Sequence, residues 1–365
     1  MTYDERVRCR SAVVLALLAS VGCRLEGSFA CGSDAVCRAG ASVGTCEATG
    51  YCSFADASCA SGQRYADNAA SYAAQCVVPL VDARPPTCLE RWHAGTMRFG
   101  AATPLSVNST MNEGDAFVSA DELTLTFSSD RTGGAGFDIY TASRAAADLP
   151  FEAASRVAMW SSANGDGKVS LTDDGLLATV TTFDRAGGPG GQDIFRATRP
   201  TTSVAFEPLS TVGFEQVNTA GNEYDGVVTS DGKRVYLAGF GAGGTQRITV
   251  ASRATRTEPF SAPVAIAEIS APSGSDADPA PSQDDTILLF TSTRTTAAGA
   301  QNLWYAVRGN PSEPWGAPQL VPDVNTDARE NDAHLAADGC TLYFTRTPTP
   351  TGTGDLVAAP MITSP

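Results

Sequence analysis

Short apolar runs recur along the last three quarters of the chain, each introduced by a small polar turn. The instances are "SADELTLTF" (119–127), "TDDGLLATV" (172–180), "TSDGKRVYL" (229–237), "SQDDTILLF" (282–290) and "AADGCTLYF" (336–344). The runs are apolar at consecutive positions, as strands covered on both faces are. Each is followed by a second strand-like stretch: "DIYTASR" (138–144), "DIFRATR" (193–199), "RITVASR" (247–253), "NLWYAVR" (302–308) and "DLVAAPM" (355–361). These begin 55, 54, 55 and 53 residues apart. A third marker opens each unit, an aromatic with a branched aliphatic residue six later: Phe99/Leu105, Phe151/Val157, Phe206/Val212, Phe260/Ile266 and Trp315/Val321. Each unit therefore supplies four short strands, an outer one at the aromatic, an innermost one before the turn, then the apolar run and its successor. Four-stranded units at fixed period predict an all-β chain folded as a five-bladed β-propeller over residues 99–361. No sixth unit is expected, because residues 77–98 are too few to make one.

The stretch "SADELTLTFSSDRTGGAGFDIYTASR" resembles the WD40-like repeat of TolB-type and tricorn-type propellers, through its S-x-D-G, L-Y-F, S-D-R and D-I-Y elements. The resemblance covers residues 99–361 and concerns the repeat itself. It implies protein partners, by analogy of fold. Unit three departs from it, since "LAGFGAGGTQRITV" lacks the aspartate and arginine of S-D-R.

Composition agrees with a turn-rich β protein: 35 glycines and 21 prolines among 365 residues. Net charge is −15, with Lys168 and Lys233 as the two lysines. Such a surface repels phosphate backbones, so no nucleic-acid partner is expected.

Ahead of the repeat, Arg6, Arg8 and Arg10 precede "SAVVLALLASVG" and Cys23. The apolar run is too short to anchor a helix across a bilayer and has the length of a secretory signal. "LLASVGC" resembles a bacterial lipobox, which implies a signal peptide over 1–22, lipidation at Cys23, and membrane attachment through that lipid alone. The expected location is the outer membrane or periplasm as a lipoprotein, or the cell exterior. Cys31, Cys37, Cys46, Cys52, Cys59 and Cys76 follow with 5, 8, 5, 6 and 16 residues between them. No C-x-x-C pair occurs and neither histidine falls inside, so residues 23–76 read as a small disulfide-rich module rather than a zinc site. The fifteen pairings stay open. The similarity of "CEATGYCSFADASCASGQRYA" to a small module of exported bacterial proteins assigns it no chemistry. Pro79, Pro85 and Pro86 suggest an extended linker over 77–98. Because each unit begins with its outer strand, the strand at Phe99–Leu105 has to complete the last blade. A Cys88–Cys340 disulfide is expected to staple that closure.

Two motifs with catalytic form carry no chemistry. "GASVG" (40–44) lies among the cysteines, away from the strand-turn-helix setting of a nucleophile elbow. "GFGAGG" (239–244) occupies a strand-to-strand turn of unit three and opens no helix. The candidate site is a ring of acids. A carboxylate stands eight residues before each turn, at Glu113, Asp166, Glu223, Asp276 and Glu330, and two residues on come Asp115, Lys168, Asp225, Asp278 and Asp332. An acidic channel mouth of this kind would hold a hard cation or a basic peptide group. No cofactor and no built-in metal site is expected beyond a channel-bound cation. The alternative expectation is that Arg131, Arg185, Arg294 and Arg346 consume the acids, each arginine bonding the aspartate of the preceding blade. Lys168 in unit two and the missing arginine at Gly241 in unit three would then explain each other.

Two functions compete. The first is a monomeric, non-catalytic binding or scaffolding propeller engaging an envelope protein or a glycan. The second is a glycoside hydrolase with two carboxylates about 5–9 Å apart. Acids that obey the repeat favour the first, with Lys168 and His334 as the departures that favour the second.

Overall fold

The computed structural model describes residues 30–78, 85–133, 136–240, 244–294, 301–348 and 352–362. The expected signal peptide over 1–22 and the expected lipidation at Cys23 lie outside these residues, as does Gly241. Two compact units divide at Pro85/Pro86.

In the first unit, disulfides join Cys31–Cys46, Cys37–Cys52 and Cys59–Cys76, so all six cysteines of the module are paired. Regular structure is sparse: a three-stranded sheet of Thr45–Cys46, Cys52–Ala55 and Gln63–Tyr65, and a two-stranded ribbon at 38–43. A small core of Tyr65, Ala69 and Val77 packs against Tyr51. Cross-links replace a core that so short a segment cannot build.

The second unit contains five antiparallel sheets. Their innermost strands are Glu113–Val118, Asp166–Leu171, Glu223–Val228, Asp276–Pro281 and Arg329–Leu335. Each packs on the next and the fifth returns to the first, closing a five-bladed ring. Four blades are four-stranded sheets; in blade two an isolated bridge, Arg196 to Ser210, stands where the outer strand would pair.

The three markers meet as one cluster. The arginine ending each "DIYTASR" stretch lies over the aromatic of the next unit: Arg144 on Phe151, Arg199 on Phe206, Arg253 on Phe260 and Arg308 on Trp315, at 4.0–4.3 Å from the ring centres. Its Nε donates to the carbonyl at the left-handed turn position, at Glu122, Gly175, Gly232 and Asp285. Each Nε thus finds an acceptor and the ring adds a cation–π contact, while Arg253 Nη2 is buried with no partner among the described residues.

The fifth blade lacks this arginine, having Met361, and the chain substitutes for it. Thr103–Pro104 pairs with Asp355–Pro360 as the outer strand, and Phe99 bridges Met361. The carbonyl of Gly339 accepts instead from Trp92 Nε1 at 3.1 Å. Trp92 belongs to a helix, Cys88–Ala94, where an extended linker was expected. Thr87 and Glu90 form a capping box at its start and Gly95, left-handed, ends it. The Cys88–Cys340 disulfide joins this helix to the fifth blade with Cα atoms 5.1 Å apart, as the closure requires.

Candidate functional site

Glu113, Asp166, Glu223, Asp276 and Glu330 begin the innermost strands and are buried. Each carboxylate turns back to the loop before it. Glu113 accepts from Ser109 N at 3.0 Å and Ser109 Oγ at 2.6 Å. Glu223 does the same with Thr219, and Glu330 with Thr326. Asp166 accepts from Ser162 N and Asp276 from Ala271 N. Four of the five also take a guanidinium: Arg131 to Glu113, Arg185 to Asp166, Arg294 to Asp276 and Arg346 to Glu330.

These pairs correct the expected arrangement. Each arginine bonds the first carboxylate of its own blade, not the second carboxylate of the preceding one. The reason is local: the residue paired with the carboxylate lies at the end of the neighbouring strand, so the arginine just beyond folds back over it. The first ring is therefore architectural and holds the loops above each strand. Glu223, in the blade without the arginine, forms no ion pair among the described residues.

The second ring is different. Every innermost strand carries a β-bulge at the same place, and Asp115, Asp225, Asp278 and Asp332 sit in it with φ of 51–57°. Aspartate tolerates this left-handed backbone better than most residues. The bulge also breaks the strict alternation of the strand, so the side chain re-aims. Asp332 lies beside Gly114 of the first blade and Asp115 beside Gly167 of the second, where a Cβ on either glycine would come within 3.3–3.5 Å of the carboxylate.

Asp115 accepts from Ser128 Oγ at 2.8 Å, and Asp332 from Asn331 Nδ2 at 2.9 Å. Desolvation pushes the Asp225 carboxyl well above the usual range, and Asp278, Asp115 and Asp332 push it further. Asp332 is raised well above its range by burial and then by Asp115 and Asp278, with Lys168 and a hydrogen bond from Thr345 acting against them. Asp115 is raised by burial and held back by the Lys168 ammonium. Lys168 fills the fifth place; it is buried, and its Nζ has no hydrogen-bond partner among the described residues. His334 is half-buried against Phe117 and donates from Nε2 to Val118 O at 3.0 Å, and desolvation lowers its pKa to about 3. A neutral imidazole in that place is a packing group.

A cavity of about 390 Å³ opens at the start of the innermost strands. Asp115, Asp225 and Asp332 line it, together with Phe137, Phe183 and Gln192. Lys168 and His334 line a separate space of about 50 Å³ further along the strands. Asp278 lines neither. Phe183 is 40% exposed and Phe137 36%. Phe240, at the strand position corresponding to Phe183 in blade three, is 56% exposed and meets Tyr224 edge-on. In the other blades that position holds Asp130, Thr293 and Thr347. The aromatic residues are thus a departure from the repeat confined to one side of the mouth. Sequence comparison among the units could have found Phe183 and Phe240 had their register been known.

No three carboxylate or imidazole groups among the described residues converge within 4.8 Å. The sulfurs that do converge, in the first unit, are already disulfide-bonded.

No family model and no curated protein matches the chain. Solved structures do. A protein described as a glycoside hydrolase is 11% identical with a TM-score of 0.52, covering 75% of this chain and 94% of its own. The catalytic domain of a Coprinopsis cinerea GH62 α-L-arabinofuranosidase is 11% identical at 0.49, covering 73% and 97%. TolB from Acinetobacter baumannii is 13% identical at 0.38, covering 68% and 54%. The shared property is the propeller fold.

Proposed function

We propose that the protein is an exported glycan-binding propeller and that the mouth cavity is its binding site. The exposed rings of Phe137 and Phe183 beside a polar cavity carry this reading. Aromatic rings offer flat apolar faces to the C–H faces of sugars, and the polar groups at the floor would fix hydroxyls. Four disulfides support folding in an oxidising compartment, and lipidation at Cys23 would hold the monomer at the envelope. A glycan fits this site better than an envelope protein does, because the aromatic faces flank a concave pocket rather than a flat patch.

Glycoside hydrolysis is the second reading. Asp225 and Asp332 have raised pKa values, so one can stay protonated as a general acid while a second carboxylate is ionised. The names of the structural neighbours point the same way. Calorimetric titration with a panel of soluble oligosaccharides, followed by an assay for new reducing ends, separates the two. Binding without cleavage, weakened about tenfold or more in Phe183→Ala, is the expected result. Cleavage abolished in Asp225→Asn would establish the hydrolase. If no oligosaccharide in the panel binds, the glycan reading is wrong.

A further inference from the structure

The joints between successive blades follow one plan, and one of them is incomplete. A single register position on the second strand of each blade carries Thr126, Thr179, Tyr236, Leu289 and Tyr343 in turn, paired with Phe117, Ser170, Val227, Ala280 and His334. In two joints this residue is a tyrosine that meets a carboxylate and an arginine of the next blade. Tyr236 donates to Asp285 at 2.8 Å and accepts from Arg308 Nη2 at 3.0 Å. Tyr343 donates to Glu122 at 3.3 Å and accepts from Arg144 Nη2 at 3.1 Å. Asp285 and Glu122 hold the left-handed turn position of their blades.

The other three joints lack both the tyrosine and the carboxylate. Between blades four and five, Leu289 and Gly339 take the two places, and Leu89 packs over the glycine. Between blades two and three, Thr179 bonds Ser170 Oγ and Gly226 O, and Arg256 covers Gly232. Between blades one and two, Thr126 and Gly175 instead line an open cavity of about 460 Å³. It lies at the end of the innermost strands away from the mouth, with Phe117 and Leu171 as apolar wall.

Two polar groups of this joint are left over. Thr126 is 6% exposed, and its hydroxyl forms no hydrogen bond among the described residues. Arg199 is half-buried; its Nε donates to Gly175 O at 2.6 Å and its Nη1 to Thr202 O at 3.1 Å. Its Nη2, the atom that holds the phenol in the two tyrosine joints, donates to nothing among the described residues. Buried polar groups without partners are costly and rare in native proteins. Asp121, Asp173 and Asp174 share the lining, so an anionic ligand is disfavoured.

We propose that the joint between blades one and two binds a small neutral phenol. Its ring takes the place that a tyrosine ring fills in the complete joints, against Phe117 and Leu171, and its oxygen accepts from Arg199 Nη2. Its own proton is given to solvent, because the carboxylate of the complete joints is missing at Gly175. A tyrosyl side chain of another protein fits less well, since Thr126 stands where its Cβ would lie.

The test titrates the whole chain with phenol, benzene, benzoate and N-acetyltyrosinamide, followed by ligand-observed NMR. Phenol is expected to bind about fivefold or more tightly than each of the others, the scale of one hydrogen bond. Gly175→Asp supplies the missing acceptor at a backbone angle that Asp285 already adopts, and should tighten phenol about threefold or more. Thr126→Tyr with Gly175→Asp copies the joint between blades three and four; it should abolish phenol binding and raise the melting temperature. Equal binding of phenol and benzene, or weaker phenol binding in Gly175→Asp, overturns the contact with Arg199. Tightest binding of benzoate overturns the neutral ligand, and tightest binding of N-acetyltyrosinamide overturns the free phenol in favour of a tyrosyl segment. Binding of none of the four, or phenol binding unchanged in a folded double variant, overturns the site.

Discussion

Asp225 combines a left-handed backbone, a half-buried carboxyl and three like charges as neighbours. Its folded-state pKa lies above the ordinary value of 3.8, so the folded chain keeps a proton that the unfolded chain releases. The associated stability is complete at pH below 3.8 and is lost as pH rises through the folded value. Asp225→Asn keeps the shape, tolerates the same φ and removes the titration. The melting temperature of the variant should exceed that of the wild type at neutral pH and fall less steeply from acid to neutral. Identical profiles for the two proteins would show that the ring is neutralised by other means. The two carboxylate positions are legible as a period in the chain, but their different roles are not. A side chain two residues along a strand should share the face of the first. Only the bulge, which local composition does not announce, sends one to its loop and the other to the channel.

At the scale of the blade, the arginine–carboxylate pairs are the units that hold loop to strand. Arg294 and Asp276 are 11% and 0% exposed at the side chain, and Arg294 Nη2 also reaches Ile269 O. Arg294→Ala leaves a buried carboxylate unpaired and should cost about 3–5 kcal/mol. Adding Asp276→Asn should recover part of that, which a denaturation double-mutant cycle measures. The repeat also announces the turn, the arginine and the aromatic as separate markers. That they form one contact is visible only once strands are paired. The helix at 88–94 escapes notice for a plainer reason. Seven residues beside prolines carry too little period to read, and the role of Trp92 depends on a carbonyl 247 residues away. The disulfide beside it is open to a direct measurement. Cys88→Ser with Cys340→Ser removes a cross-link across 252 residues, a loss of about 5 kcal/mol on chain-entropy grounds, and should lower the melting temperature under oxidising conditions.

For the molecule as a whole, the division at Pro85/Pro86 predicts that residues 86–365 fold alone. That fragment should melt in a single cooperative transition and retain every sugar affinity of the full chain. Loss of binding in a folded fragment would place part of the site in the disulfide module. Blade number and the five-fold order were legible because each blade must repeat the same burial. The side of the mouth proposed for binding was not, because it is marked by what breaks the repeat, Phe183 and Phe240 where other blades carry polar residues.

Ring closure also sets an order of events in time. The strand Thr103–Pro104 is made early, yet its partner, Asp355–Pro360, is among the last residues synthesised. Until then the first blade has no neighbour on one side, and the early strand has nothing to pair with. The four earlier blades can form their own hairpins as they appear, since those contacts are short in sequence. The last blade cannot, whatever its local propensity. Completion therefore waits for the end of the chain, and the unpaired edge is exposed for the whole interval. Oxidation of Cys88 with Cys340 comes after that meeting and makes it permanent, so the disulfide records that the ring has closed.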